Sequence, residues 1–453
     1  MVKFIEYKGF DHIWDYSGPW LYWLIALWLA SPILAYYILP LISTRHHGGR
    51  KIISIFVLGD LGHSPRMCYH ALSFSKLDYS VNLFGYLETE PSLKLIDDMN
   101  IDINEIKVVK NTRKLPFVLF ALVKVVVQVK QIFQLLFANG DSDYILIQNP
   151  PSIPLLLIII VYIAIFNRNC KLIIDWHNLN YSILNLRYQN LNHPLVKLVK
   201  FYEMWLGKFA WLNITVTKQM KQFLVDEFGF ESKRIVTLHD RPGDQFQPLT
   251  NNKSELMSQF DIFNINNIDN YKILITSTSF TPDEDFEILL QALNQYHDTE
   301  NVPPILLIVT GKGPLKQQFL TRVNELNFSH KVIVKTAWLA SEDYPVILSL
   351  ADLGVSLHTS SSGIDLPMKI VDFFGCGVPV VSLSFPAIPE LVKEGVNGLL
   401  VTSDDKSGEM CQLFIKVFTN GDLWSKLREG ALKESNLRWD ENWSTTLGKT
   451  FEY

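Results

Sequence analysis

The sequence predicts a two-domain α/β protein whose parallel sheets face one another across a cleft, and three observations lead there. At 453 residues the chain is too long for one ordinary hydrophobic core, so two domains are expected. Short apolar runs alternate with helical patterns in two successive series, separated by a Pro/Gly- and Asn-rich stretch. The third observation is residues 358–382, where a polar, Gly-containing loop opens a helix that leads into a strand. Pro367 suits the first helical position, where no N–H is missed, and Gly375 and Gly377 suit the helix end. A helix that begins at such a loop presents unpaired N–H groups and a partial positive charge, which attract phosphate.

Ahead of the first strand, residues 20–42 form an uncharged apolar run long enough to cross a bilayer, with Trp20, Tyr22, Trp23 and Trp28 near one end and Tyr36 and Tyr37 near the other. Glu6, Asp11 and Asp15 outweigh Lys3 and Lys8 before the run, whereas Arg45, Arg50 and Lys51 follow it. The positive-inside rule then puts the C-terminal bulk in the cytosol. Residues 1–44 are accordingly expected to be a lumenal stub and transmembrane anchor. The Asn-x-Ser/Thr sites at Asn180, Asn213, Asn252, Asn327 and Asn442 are expected to stay unmodified.

Residues 45–248 read as the first Rossmann-like domain. Strands are expected at 52–58, 81–84, 106–109, 144–147, 171–174 and 213–216. Residues 115–137 place Lys124, Gln128, Gln131 and Gln134 along one stripe of an otherwise apolar helix, and 153–166 are continuously apolar but too short to span. Each is either a core helix or one that dips into a membrane surface. After Arg241-Pro-Gly-Asp, Pro248 and the polar patch from Asn251 to Asn270, the pattern restarts, so the second Rossmann-like domain takes 249–430. Its strands are expected at 273–275, 305–309, 332–334, 353–357, 378–381 and 399–401.

A net charge of −5 without a long basic run argues against nucleic acid as the main partner. Cys68, Cys170, Cys376 and Cys411 are far apart, with no Cys-x-x-Cys and no clustered His, so neither a zinc site nor a disulfide framework is indicated. Hydrophobic residues at 48% against 19% charged direct attention to membrane contact.

Ligands of open α/β folds bind at the carboxyl ends of the strands. In the second domain three loops there carry hydroxyls and glycines: Ser277, Ser279 and Phe280 after one strand, followed by Pro282-Asp-Glu-Asp, Gly311, Lys312 and Gly313 after the next, and Trp338, a candidate base-stacking ring, after the third. The fourth loop adds Ser362, Gly363 and Asp365, then Lys369 in the helix's first turn for a phosphate and Asp372 three residues on for ribose hydroxyls. In the first domain Asp60 and His63 follow the first strand, and Asp175 and His177 a later one.

Leu58-Gly-Asp-Leu-Gly-His-Ser-Pro-Arg-Met67, Gln148-Asn-Pro-Pro151, Ile174-Asp-Trp-His-Asn178, Ser277 to Phe286, Thr310-Gly-Lys-Gly-Pro314 and His358 to Cys376 together resemble the GT-B glycosyltransferases. More narrowly, they resemble the β-1,4-mannosyltransferases that add the first mannose to dolichyl-diphosphate-linked chitobiose on the cytosolic face of the endoplasmic reticulum. The resemblance implies transfer of mannose from GDP-mannose to the 4-hydroxyl of the terminal GlcNAc, with inversion. It implies no obligatory cofactor, though divalent metal stimulation is compatible with it, and membrane lipid and other mannosyltransferases of the same pathway as partners. It also implies a final helix, 431–453, that crosses back to the first domain. An in-line displacement needs a base, for which Asp60, His63 and His177 are the candidates. His177 is alternatively a contact of the donor sugar. Gly62, Arg66, Asp175 and Asn178 are assigned to the acceptor side, with Arg66 toward the lipid diphosphate. The Gly-x-x-Gly-His arrangement at Gly59 to His63 also resembles the acceptor loop of the bacterial lipid-linked GlcNAc transferase. One departure stands out: the superfamily often has two glutamates eight apart in the last loop, and Asp372 matches the second while Ile364 occupies the first, leaving Asp365 to take that role. Two other readings stay open, a UDP-GlcNAc transferase acting on a lipid-linked acceptor and a non-catalytic membrane scaffold.

Overall fold

The computed structural model of the protein describes residues 19–43, 49–111, 114–139, 141–250, 252–281 and 284–452. The charge flank from Lys3 to Asp15, Arg45, the boundary at residue 45, and Pro282 lie outside the described residues. Seven strands form the first sheet: β1 (Ile52–Asp60), β2 (Ser80–Tyr86), β3 (Ile101–Glu105), β4 (Tyr144–Asn149), β5 (Lys171–Trp176), β6 (Leu212–Thr215) and β7 (Ile235–Thr237). Their order is β3-β2-β1-β4-β5-β6-β7 and every pair is parallel. The second sheet comprises β8 (Lys272–Ser277), β9 (Ile305–Thr310), β10 (Val332–Ala337), β11 (Leu353–Ser356), β12 (Val380–Leu383) and β13 (Gly398–Val401), ordered β10-β9-β8-β11-β12-β13. All of its pairs are parallel too.

Sheets covered by helices on both faces need strands that are apolar throughout, and β1 meets that need. Ile53, Ile55 and Val57 enter one core with Leu146 and Ile173. Phe56 and Leu58 enter the other with Ile145, Ile147 and Ile174. The second sheet divides likewise, Ile273 and Ile275 to one side and Leu274 to the other.

The third strand departs from expectation. It is Ile101-Asp-Ile-Asn-Glu rather than 106–109, an edge strand whose polar alternation reflects exposure on one face, and Ile106 is a buried residue just beyond it. The three-residue β7 at the opposite edge carries too short a pattern to be read from sequence.

In helix Phe117–Ala138 the polar stripe is divided, with Lys124 and Gln134 exposed and Ile132 and Leu136 buried beside Gln128. Gln128 is buried and donates to the Tyr86 hydroxyl at 3.0 Å, while Leu119, Leu122, Val123 and Val126 face outward. Helix Leu155–Ile165 has a buried face, Leu155, Leu156, Ile158, Ile159 and Tyr162, and leaves Leu157 exposed. Residues 20–42 lie in helix Pro19–Ser43, which runs through Pro32 and approaches helix Leu155–Ile165. Among the described residues no helix is long and apolar enough to cross a membrane, so the structure does not support the expected single-pass span.

Several connections fix one domain on the other. The C-terminal residues Trp439, Trp443, Leu447 and Phe451 pack into the core of the first sheet. The Trp439 and Trp443 indole N–H groups donate to Ser73 and His70, each at 3.0 Å. Glu390 of the second domain accepts from the Lys218 and Gln219 amides at 2.8 and 2.9 Å, at the start of helix Lys218–Asp226, and pairs with His239 at 2.9 Å. A carboxylate belongs at such a helix start. Beside it, the Thr217 hydroxyl donates to the Ile364 carbonyl at 2.6 Å.

Candidate active site

The carboxyl ends of the two sheets enclose a cleft of about 790 Å³. Gly62, His63, Thr89 and Glu90 line it from the first domain. Ser277, Thr278, Ser279, Glu284, Gly311, Trp338, Tyr344, His358, Lys369 and Asp372 line it from the second.

On the first-domain wall, β1 ends at Asp60 and a 3-10 turn carries Leu61 to His63. One Asp60 oxygen accepts from the Glu88 and Thr89 amides at 3.1 Å each, and the other lies 2.9 Å from His63 Nδ1. Burial pushes the Asp60 carboxyl up, but the bonds from Thr89 and His63 outweigh it and hold it below its ordinary value. In the tautomer that donates Nδ1–H to Asp60, Nε2 of the more than half-exposed His63 ring is the acceptor. Gly62 is required by packing, since an added Cβ would come within 2.9 Å of Thr89.

Arg66 and Asp175 do not reach the cleft, which corrects their assignment to the acceptor. The Arg66 guanidinium is buried, donates to both Asp175 oxygens at 2.8 and 2.9 Å, and reaches Asp240 at 2.7 Å and the Leu238 carbonyl at 3.0 Å. Four of its five N–H donors are used internally and the group is buried, so it is not presented to a lipid diphosphate. Burial raises the Asp175 carboxyl, yet Arg66 and then His177 outweigh it and hold it well below the carboxylate range. Asp175 in turn fixes His177 Nε2 at 2.9 Å, and His70 Nε2 lies 3.2 Å away. His177 is thus a partly exposed ring oriented by a buried ion pair, set back from the lining of the cleft. Asn178 is also reassigned: its side chain bonds the Leu179 amide, Ser182 and Ser361, joining the domains rather than holding a sugar.

On the second-domain wall the hydroxyls form a relay. Thr310 donates to Ser277 at 3.0 Å, and Ser277 meets the Tyr344 hydroxyl at 2.8 Å. Tyr344 neighbours Asp372, whose carboxyl burial pushes well above the usual range; the Tyr344 hydroxyl draws it down and the Asp240 charge adds to the rise. Lys369, one residue into helix Met368–Gly375, pairs with Glu284, and both side chains are largely buried at the cleft floor. Lys312 stacks over the exposed Trp338 ring, 4.1 Å from its centroid, and orients it as a cleft wall.

Several donor-side expectations change. Phe280 is fully buried against Phe286 and Phe319, so it supports the loop from behind. Gly311 and Gly313 are glycines because a Cβ would lie 1.8 Å from the Thr278 carbonyl and 1.7 Å from the Ser279 carbonyl. The close approach is loop on loop. The Gly311 amide donates to the Ala337 carbonyl at 2.9 Å and is not free for a phosphate. Ser362 and Gly363 lie in a turn closed by Ser360, away from the cleft lining. Asp365 accepts from Ser360 and faces His358 Nε2 at 3.4 Å. Ile364 is buried in the first domain's core, which explains why a glutamate is absent there. Glu284, Thr89, Glu90, Tyr344 and His358 were not assigned from sequence. Thr89 and Glu90 follow β2, the neighbour of β1, so strand order was the signal that finds them.

Residues 271–420 match the family model described as glycosyl transferases group 1. The Candida albicans chitobiosyldiphosphodolichol beta-mannosyltransferase is 64% identical over 100% of this chain and 99% of its own length. The Homo sapiens protein of the same name is 35% identical over 89% of this chain and 93% of its own. Among solved structures, a Thermosynechococcus elongatus sucrose-phosphate synthase has a TM-score of 0.68 at 15% identity, covering 89% of this chain and 98% of that one. Anabaena HepE with UDP and glucose has a TM-score of 0.58 at 18% identity, covering 86% and 96%. These two share the fold, the GT-B arrangement of two facing parallel sheets. On the strength of the full-length sequence matches, the chain belongs to the chitobiosyldiphosphodolichol beta-mannosyltransferase family.

Proposed function

We propose that the chain transfers mannose from GDP-mannose to the 4-hydroxyl of the terminal GlcNAc of dolichyl-diphosphate chitobiose, inverting the anomeric carbon in one displacement. The names of the relatives support the acceptor and the sugar, and the observation that carries the mechanism is the Asp60–His63 pair on one wall of the cleft with Lys369 on the other. His63 Nε2 takes the proton of the attacking 4-hydroxyl, and Asp60 stabilises the imidazolium that forms. The C4 oxygen bonds to C1 of mannose as the C1–phosphate bond breaks, and the electron pair leaves on GDP. Lys369 and the amino end of its helix neutralise the departing diphosphate. Tyr344, Ser277 and Asp372 offer hydroxyl and carboxyl groups to the nucleoside, and Trp338 offers a face to the base.

No residue role in this scheme needs a metal ion, so transfer is expected to survive EDTA. The reading also assigns the enzyme to the endoplasmic reticulum membrane, its two domains on the cytosolic side and helix Pro19–Ser43 as anchor. Exposed Trp23 and Trp28 support that part, and protection of the residues before Pro19 from protease in sealed microsomes tests it. The central test is incubation of the purified chain with labelled GDP-mannose and phytanyl-diphosphate chitobiose. A product cleaved by β-mannosidase supports the reading. Transfer from UDP-GlcNAc instead, or a product that resists the enzyme, would overturn it.

A further inference from the structure

Away from the cleft, at the amino ends of β5 and β6, a second cavity of about 950 Å³ opens on the surface of the first domain. Arg168, Lys171, Lys233 and Arg234 line it, and no acidic side chain does. Glu231 lies outside the lining and meets two of these cations, Lys233 at 3.1 Å and Arg234 at 3.4 Å. Lys171 stands 4.5 Å from the centroid of Trp211, itself part of the wall. Apart from Asn169 and Thr450 the remaining wall is apolar, with Ile160, Ile163 and Phe209. Four cations beside an apolar wall fit an amphiphile with an anionic head.

The surroundings say which one. Helix Pro194–Leu206 and the turn Gly207–Phe209 that continues it lead to this cavity. Leu195, Leu198, Phe201, Trp205 and Phe209 recur along this segment every three or four residues, and all five are exposed, Leu198 at 61% and Phe201 at 54%. A soluble helix turns such a stripe inward, so its outward position marks an interaction face. Lys197, Lys200 and Lys208 accompany it, the composition of a helix lying in a membrane interface. Helix Pro194–Leu206 packs beside helix Leu155–Ile165, which in turn meets helix Pro19–Ser43. The stripe, the cavity and helix Pro19–Ser43 are therefore neighbours on one side of the domain.

We propose that this face lies in the membrane surface, with the apolar stripe among the acyl chains and the basic cavity holding the phosphate headgroup of an anionic phospholipid. The inference deepens the proposed function, since it rests on an acceptor presented at a membrane and defines how the first domain is seated there. The headgroup site is separate from the cleft, because none of the four cations lines the cleft.

The test uses the full chain in neutral detergent and native mass spectrometry, titrating dioleoyl phosphatidylserine, dioleoyl phosphatidylcholine and inorganic phosphate in turn. Wild type is expected to retain phosphatidylserine in preference to phosphatidylcholine, and more weakly at 0.5 M than at 0.1 M ammonium acetate. One basic residue near an anionic surface changes partitioning by roughly fivefold, so the combined R168Q, K171Q and R234Q variant should lose about 100-fold. A second variant, L198Q with F201Q and W205Q, leaves the cations in place and should weaken lipid binding without changing the lipid preference. Equal retention of the two lipids, unchanged binding by the charge variant, or displacement of phosphatidylserine by equimolar phosphate would each overturn the proposal. Transfer to a short-chain acceptor in detergent should stay at the wild-type rate in both variants. Loss of transfer in wild type with lipid binding intact would count against the proposed reaction and not against this site.

Discussion

Replacing Asp60 by asparagine tests how the cleft holds the proposed base, His63. The carboxylate makes three contacts, two from backbone amides at 3.1 Å and one to His63 Nδ1 at 2.9 Å. Asparagine keeps one oxygen for the amides, so the loop should remain in position. Its NH₂ then faces His63 Nδ1, which has to accept rather than donate, and the ring proton moves to Nε2. A base protonated on the face that meets the acceptor is a base removed, and such losses run about 10²–10⁴-fold in turnover. D60N and H63A are therefore expected to lose about equal turnover, with the Kd for GDP unchanged, and the D60N/H63A double variant to lose no more than H63A alone. Non-additivity of this kind is the mark of groups acting as one unit. The assay is single-turnover transfer to phytanyl-diphosphate chitobiose beside calorimetric titration of GDP. Losses that multiply in the double variant, or a D60N enzyme with wild-type turnover, would refute the dyad and turn attention to His177.

K369M should weaken GDP binding by roughly 10- to 100-fold, the range for losing a charged hydrogen bond, and calorimetry reads it. D175N leaves Arg66 buried with half its counter-charge and should cost about 3–5 kcal/mol in urea unfolding. Because the Asp175 carboxyl is held below its unfolded value, its stabilisation is full above the unfolded carboxylate pKa and is lost as pH falls through the folded one. Wild type should thus lose more stability than D175N between pH 5 and pH 3. I364E inserts a charge into the first domain's core and should lower the urea midpoint without improving transfer, despite restoring the spacing of the wider superfamily. G311A should abolish GDP binding, since its Cβ would meet the Thr278 carbonyl and drive apart the two loops that carry the donor wall.

Much of the scaffold was readable because it follows local rules. The Ile52 to Leu58 run has the continuous apolarity that a strand buried on both faces requires, and the Pro367-to-Gly377 punctuation marks a helix with its amino end at the cleft. Edge strands were harder: Ile101-Asp-Ile-Asn-Glu reads as loop because only part of it is buried. The site was half legible. Loop chemistry brought His63, Ser277, Trp338, Lys369 and Asp372 to one cavity. Arg66 was misassigned because its partners lie 109 and 174 residues away, and a helix-start arginine looks the same whether it faces water or a buried carboxylate. Gly311 was misread for a similar reason, since sequence shows that something must come close but not that it is Thr278.

The Glu390 clasp on helix Lys218–Asp226 and the neighbouring Thr217–Ile364 bond act as the spine of a book. With one margin bound, the covers can part only along the opposite one, and His63 and Trp338 stand on the facing pages. In the proposed reaction nucleotide and lipid-borne sugar then share a single doorway. Spent GDP would have to pass the margin through which the next dolichol-borne sugar arrives, which would make the order of leaving and entering a property of the binding.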